Sequence, residues 1–309
     1  MTFRKIYLLA IICLCGLNSC IKVIDLQPPK YEVKNILNCL LNPDSTLTVS
    51  LTKSVPINSI VSPPSVTDAK ILCYEDGVLL GQLLFQHKGV YTLNYKPQPN
   101  HTYRIEAFLP DGSVLSGQDH VPASPTFFAT LSGPNIQNVN DNPDITLNVA
   151  DIDTAKVRLW FSAYLRIFGQ GQTVAENQVQ AIESISSFLD TFNSSSSGSS
   201  IKRSWFFYVR IKPNLIDNKL KIIFNTFNSV NEVDRVGELF FLQFIIGSHS
   251  FDKYLKSYIT AYNNRLTTND GGLNNPFAEP SSIYSNVKNG LGIVVGYNPK
   301  IIILSEGNK

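Results

Sequence analysis

The strongest constraint on this chain is a series of short segments in which apolar and polar residues alternate, each closed by turn-forming residues. Thr46-Leu47-Thr48-Val49-Ser50-Leu51-Thr52 places Leu47, Val49 and Leu51 on one face and hydroxyls on the other, which is the two-residue period of a half-buried strand. Tyr91, Leu93 and Tyr95 repeat it, and Tyr103, Ile105 and Ala107 do so opposite Thr102, Arg104 and Glu106. Ala69, Ile71 and Cys73 form a further inward set. Between these runs lie Asn42-Pro43-Asp44, Glu75-Asp76-Gly77, Lys88-Gly89, residues 97–100 and Pro110-Asp111-Gly112, all rich in residues that set turn geometry. Asp111-Gly112 between Phe108 and Val114 is a hairpin signal in itself. About seven short strands within roughly 95 residues predict an antiparallel sandwich of immunoglobulin or prealbumin type over 32–125, ended by Pro122 and Pro125.

Residues 126–309 predict a second β-rich domain with one prominent amphipathic helix, so the chain as a whole is mainly β. Strands are expected at 145–149, 157–168, 205–211, 220–224 and 239–246. The second of these carries Trp160 and Tyr164 on its more polar face, which implies cover on both sides. Residues 176–192 read as a helix or an irregular crossover, and 193–200 as a Ser/Gly surface loop. Near 250–266, Phe251, Tyr254, Leu255, Tyr258, Ile259 and Tyr262 recur at spacings of three and four, with Leu266 beyond them. That is a continuous apolar helix stripe, and Ser248 or Ser250 can cap its start. A stripe so rich in aromatics serves either as a ligand platform or as a packing face, and packing on a sheet is the commoner use. The last two apolar runs, 290–297 and 301–304, are joined by Tyr297-Asn298-Pro299 and read as a closing hairpin.

The N-terminus gives an address. Arg4 and Lys5 precede an apolar run from Ile6 to Leu17, too short to span a bilayer, and Leu17-Asn18-Ser19-Cys20 follows. We read 1–19 as a lipoprotein signal peptide, Cys20 as the acylated residue, and 20–31, with Pro28-Pro29, as anchor and tether. Several acyl chains on one cysteine exceed the two-signal threshold for stable anchoring, at ~0.8 kcal/mol per buried CH₂. Cys13 and Cys15 leave with the leader. Cys39 and Cys73 remain on inward strand positions, either as a disulfide across the sandwich or as two buried thiols. The formal charge is +2, and Arg4 and Lys5 account for all of it. With no basic stripe on a neutral mature chain, nucleic acid is not an expected partner.

No constellation for chemistry emerges. His87, His101, His120 and His249 are scattered, without metal-type spacing. Neither a G-x-S-x-G elbow nor a P-loop is present. Gly290-x-Gly292-x-x-x-Gly296 lies next to a strand end, where glycines relieve crowding rather than cradle a dinucleotide. Asp151 and Asp153 with 140–144 offer either Ca²⁺ ligands or solvated turns. Asp44-Ser45-Thr46 and Asp153-Thr154-Ala155 fit a short O-glycosylation pattern. The expectation is a protein without cofactor, metal or catalytic residues.

Four blocks carry a resemblance to a known family: the lipobox with its Pro-rich stretch and a first strand ending before Asn42-Pro43-Asp44; residues 69–77 with Gly89-Val90-Tyr91 and His101-Thr102-Tyr103-Arg104-Ile105; the Tyr-rich helix at 251–262; and Pro276-Phe277-Ala278-Glu279-Pro280 followed by 284–292. In these the chain resembles DUF4249, a family of Bacteroidetes lipoproteins of unknown function. The last block is the most specific, and 167–203 match poorly. The resemblance implies an outer-membrane or cell-surface lipoprotein, often encoded beside TonB-dependent transporters, and supplies no catalytic residues. Ile21-Lys22-Val23-Ile24-Asp25 holds a single acid where surface-exported relatives carry an acidic run, so the periplasmic face and the cell surface both remain open.

Anchor, sandwich and resemblance together point to an accessory lipoprotein that binds a TonB-dependent transporter. The alternatives are a fimbria- or adhesin-like structural subunit, which would need a detachable first strand, and an envelope hydrolase, which would need a clustered acid–base pair or metal.

Overall fold

The computed structural model describes residues 31–56, 59–132, 144–150, 156–169, 172–181, 208–211, 220–225, 237–263 and 281–305. Two tight turns organise the first part. Asp76 (φ 49°) and Gly77 (φ 86°) join β3 (Lys70–Glu75) to β4 (Val78–His87), and Lys88 (φ 44°) and Gly89 (φ 75°) join β4 to β5 (Val90–Leu93). Positive φ at both central residues is the type I′ loop, whose twist matches that of the strands it connects. The register agrees, with Glu75 opposite Val78 and His87 opposite Val90.

With β1 (Asn35–Leu41), β2 (Leu47–Lys53), β6 (Thr102–Phe108) and β7 (Val114–His120), the order β1-β2-β5-β4 makes one layer and β3-β6-β7 the other. This four-plus-three order corresponds to the seven-strand immunoglobulin arrangement. β4 belongs to both layers, pairing with β3 up to Leu83 and with β5 from Leu84. The expected β6–β7 hairpin is present, Phe108 lying opposite Val114. Tyr103, early in β6, ties the preceding corner: its hydroxyl accepts the Gln98 N–H at 2.6 Å. Inward positions of the alternating runs, among them Leu37, Val49, Leu51, Ile71 and Ile105, are fully buried in one core.

The second part continues through β8 (Thr126–Ser132), β9 (Asp144–Ala150), β10 (Val157–Gly169), β11 (Gln172–Ala181), β12 (Val209–Arg210), β13 (Leu220–Asn225), β14 (Gly237–Ser248), α1 (His249–Asn263) and β15 (Leu291–Ser305). Its strands lie in the order β15-β14-β10-β11-β13-β9-β8, with β12 beside β10. Phe127 of β8 stacks on Phe244 of β14 at 4.7 Å, and Phe161 of β10 lies 4.9 Å from Phe244. The molecule is thus mainly β with one helix among the described residues.

Two expectations are corrected. Residues 172–181, expected in part as helix or crossover, form β11, antiparallel to β10 with a bulge at Ile167/Phe168. Pairing with the long neighbour overrides a local pattern too polar to read as a strand. The two terminal runs are also no hairpin but a single strand, β15. It pairs parallel with β1 over Leu291–Gly296 and antiparallel with β14 over Tyr297–Ser305. A proline cannot donate to a ladder; Pro299 lies beyond Gly296, where the pairing of β15 with β1 ends.

β15 serves both halves. Val294 enters the sandwich core, while Ile293 and Val295, of opposite parity, join a second core with Trp160, Ile245 and the inner face of α1. Cys20 with its leader, Asp151 and Asp153, the 193–200 stretch, Leu266 and the 276–280 block lie outside the described residues.

Candidate functional site

The helix stripe divides as its spacing requires. Phe251, Leu255 and Ile259 are buried against the sheet, each contributing about 1.5–3 kcal/mol relative to exposure. Phe251 also stacks on Tyr297 of β15 at 5.1 Å. Tyr254 is partly buried against the same core, where burial raises its phenol pKa, and Tyr258 lies 5.9 Å from it. Phe251, Leu255 and Ile259 make the inner part of this stripe a packing face. Ser248, rather than Ser250, caps the helix: its Oγ accepts the Phe251 N–H at 3.0 Å.

Opposite that stripe the helix borders a groove lined by several charged side chains. Asp252, in the first turn, is buried and meets the Arg210 guanidinium in two bonds, Nε to Oδ1 at 2.7 Å and Nη2 to Oδ2 at 3.1 Å. Trp160 Nε1 donates to the same Oδ1 at 3.1 Å. Strand register produces this convergence, since Arg210 of β12 sits directly opposite Trp160 of β10, on one sheet face. A carboxylate in the first turn also opposes the positive end of the helix dipole. Around the pair opens a groove of about 480 Å³ lined by Arg158, Arg210, His249, Lys253, Lys256 and Thr260, with Asp252 and Ser257. Lys253 Nζ stands 5.7 Å over the Tyr284 ring. Ser257 Oγ accepts the Tyr284 N–H at 2.8 Å, which fixes that ring's chain segment to the helix.

A second polar cluster joins the two cores. Asp119, near the end of β7, has a largely buried carboxylate. Its Oδ2 accepts from the Ser248 hydroxyl and from Gly296 N at 2.9 Å. One side chain therefore binds the sandwich to the β14–α1 junction and to β15. Asn42 Nδ2 donates to the Tyr297 hydroxyl at 3.0 Å, and Asn298 Nδ2 to Pro122 O at 3.0 Å, along the same seam.

The 284–292 block fills the space between β7 and β15. The Asn286 side chain pairs with both backbone groups of Val294, donating to its carbonyl at 2.7 Å and accepting its N–H at 2.8 Å. Lys288 bridges Ser116 of β7, and Val287 enters the sandwich core. Gly292 (φ 114°) and Gly296 lie so close to neighbouring backbone that an added Cβ would fall 2.1 Å from Leu37 O and 1.9 Å from His120 O. Close strand approach accounts for both glycines. Cys39 and Cys73 are free, buried thiols. Burial, and to a lesser extent the neighbouring Cys73, raises the Cys39 thiol; burial pushes Cys73 up to about 12. Among the described residues no three His, Cys, Asp or Glu side chains gather as a metal site, and no described helix is long and apolar enough to cross a membrane.

A family model described as "Domain of unknown function (DUF4249)" matches residues 21–301. The chain belongs to this family. No curated protein matches it. The match takes in both cores, the Asp119 seam and the groove, so the DUF4249 unit covers the sandwich together with the helix-covered sheet. Sequence reasoning found the helix and the 284–292 block of this DUF4249 chain. It did not find Arg210 with Asp252, or Asp119 with Ser248, because each pair is separated by tens of residues or more and nothing local marks the partners.

Proposed function

We propose that this protein is a non-catalytic, lipid-anchored envelope protein that acts as an accessory binding partner of a TonB-dependent outer-membrane transporter. The leader ending at Cys20 supports the anchor. The observation that carries the reading is the position of the first strand. β1 begins soon after the tether and is paired on both sides, with β2 and with β15. A folded body attached this way works close to its membrane, since thirteen residues from 21 to 33 reach at most ~45 Å when extended. Such a placement suits a partner that is itself embedded in the membrane.

The same pairing favours this reading over a strand-exchanging fibre subunit. Exchange needs a first strand that leaves at low cost, and release of β1 would break both ladders and expose Leu37, Cys39 and Leu41.

The test is co-purification. A C-terminally tagged copy is expressed in its native host, the outer membrane is solubilised mildly, and the captured material is identified. A transporter in stoichiometric amount is the expected result; a clean monomer would overturn the stable-complex reading.

A further inference from the structure

We propose that the end of the sandwich at which the chain enters is a membrane-contact surface, setting the apolar tip Ile60-Val61 and a group of lysines against acidic phospholipid headgroups. This rests on the lipid-anchor part of the reading above and says which way the anchored body faces. The tether alone does not decide that. Its reach of ~45 Å exceeds the length of a seven-residue strand, about 23 Å, and leaves either end of the sandwich free to face the bilayer.

Strand register assembles the surface. β1 starts and β2 finishes at one end, where Asn35 lies opposite Lys53. Lys34 is tied to Ser54 there, its N–H donating to Ser54 Oγ at 2.9 Å and its carbonyl accepting the Ser54 N–H at 2.8 Å. Gly290 belongs to the same end, since an added Cβ would fall 2.7 Å from Asn35 O and 2.5 Å from the Leu115 side chain of β7. In the other layer this is where Phe108 lies opposite Lys70 and Val114. Asp111 follows in the β6–β7 turn, and after its bonds with Ser113, Lys53 adds to holding its carboxyl below the ordinary range.

Two kinds of side chain gather at this end. The first is apolar. Between Lys53 and Ser65, which bridges Thr52, the chain leaves the sheet as a loop. Its turn is fixed by Ser59 N–H to Pro56 O at 2.9 Å and by Val61 N–H to Ser59 Oγ at 3.1 Å. Ile60 on that turn is fully exposed and Val61 is 65% exposed; Phe108 and Leu291 are exposed as well. Aliphatic groups held out in this way gain free energy by entering the headgroup–acyl boundary.

The second kind is basic. Lys34, Lys53, Lys70, Lys88 and Lys288 share this end with only Asp68 and Asp111. None of the five lysines is in an ion pair among the described residues. The far end has the opposite sign, with Asp44, Glu75, Asp76 and Asp119 against Lys96, while Arg104 and Glu106 pair with each other. Acidic lipid at the lysine end answers both the charge and the exposed apolar tip.

The experiment uses the mature protein purified with its lipid and reconstituted on vesicles of phosphatidylcholine, alone or with phosphatidylglycerol. An environment-sensitive fluorophore is attached at Ile60→Cys or, at the far end, at Val78→Cys, a position 72% exposed. Cys39 and Cys73 are buried, so labelling is selective. With phosphatidylglycerol present, the probe at position 60 is expected to shift to the blue and to be quenched by nitroxide-labelled acyl chains. The probe at position 78 should stay as in water. Adding K53Q/K88Q should lower the ratio of inserted to free tip by about fivefold per lysine, and added salt should act in the same direction. If that pair fails to fold by thermal melting, K34Q/K70Q replaces it, with the same loss expected.

Flotation with the neutral vesicles reads the anchor separately. A protein that does not float lacks the anchor, and the probes are then read on protein added to the acidic vesicles. Two probes that both stay in water on acidic vesicles, or that respond alike, would overturn the proposal whether or not the protein floats. So would a blue shift at position 60 that needs only a higher protein concentration and no vesicle, which would assign the tip to a second copy of the chain.

Discussion

The two hydrophobic cores lie against opposite faces of β15, and they are assembled by different means. The sandwich core is built from strands joined mostly by short turns, two of them type I′, and its buried hydroxyls are satisfied within the sandwich itself: Tyr103 at the Gln98 N–H and Glu75, Tyr91 at Val66 O. The second core depends on remote partners. Its helix covers β10, β14 and a strand that arrives nearly thirty residues later, and its polar edge is an Arg210–Asp252 pair 42 residues apart in sequence. The comparison teaches that local pattern suffices where neighbours in the chain are neighbours in the sheet. Where they are not, long-range pairing and a few buried polar contacts decide the arrangement.

Substitutions that strike one core, the other or the seam between them sharpen that contrast. The largest effect is expected from Asp252→Ala, which leaves Arg210 buried without its carboxylate and Trp160 Nε1 without that acceptor. Chemical denaturation should show a loss of about 3–5 kcal/mol; a loss below about 1 kcal/mol would mean that the second core does not depend on its ion pair. Gly296→Ala comes next. Its Cβ would meet His120 O at the seam, and a cost of about 3 kcal/mol is expected in the same measurement. Tyr103→Phe acts within the sandwich alone, removing a donor to Glu75 and the acceptor of the Gln98 N–H. About 1–2 kcal/mol should be lost, with α1 no less helical by circular dichroism in native buffer.

Ser248→Ala removes a helix cap and a donor to Asp119 together. The expected cost is about 1 kcal/mol, and it should fall on amide protection of the first turn of α1 before any other part. The smallest effect is a pH dependence confined to the sandwich tip. The Thr102 N–H, and after it His101, holds the Asp76 carboxyl below its ordinary range. A depressed carboxylate contributes stability above its unfolded value of about 4, and that contribution disappears as pH falls through the lower folded value. Asp76→Asn should therefore lower stability slightly at neutral pH and flatten the acid limb below about pH 4, where the wild type loses the same contribution. An acid limb identical to that of the wild type would remove Asp76 from the account.

Much of the sandwich was legible because its strands alternate strictly and Asp-Gly and Lys-Gly mark their turns. β4 was the exception: apolar residues occupy both of its faces because it passes from one layer to the other. The helix and its capping serine could also be read, since the spacing of Phe251, Leu255 and Ile259 is set by the helix itself. β11 was hidden by its polar composition, and Asn298-Pro299 imitated a turn because nothing in the sequence says that β1 ends beside Gly296. Of the groove, only Lys253, Lys256 and their neighbours could have been placed on one helix face; Arg158 and Arg210 arrive by strand register.

The central claim is that β15 makes the two cores one cooperative unit. Native-state hydrogen exchange on Leu37→Ala tests it most directly, because Leu37 lies wholly in the sandwich core and far in sequence from α1. The account predicts that the slowest amides of β2 and of α1 lose protection by the same free energy, since both then open through one global unfolding. A loss confined to β2, with α1 protected as before, would contradict it and make the cores independent domains that merely share a strand.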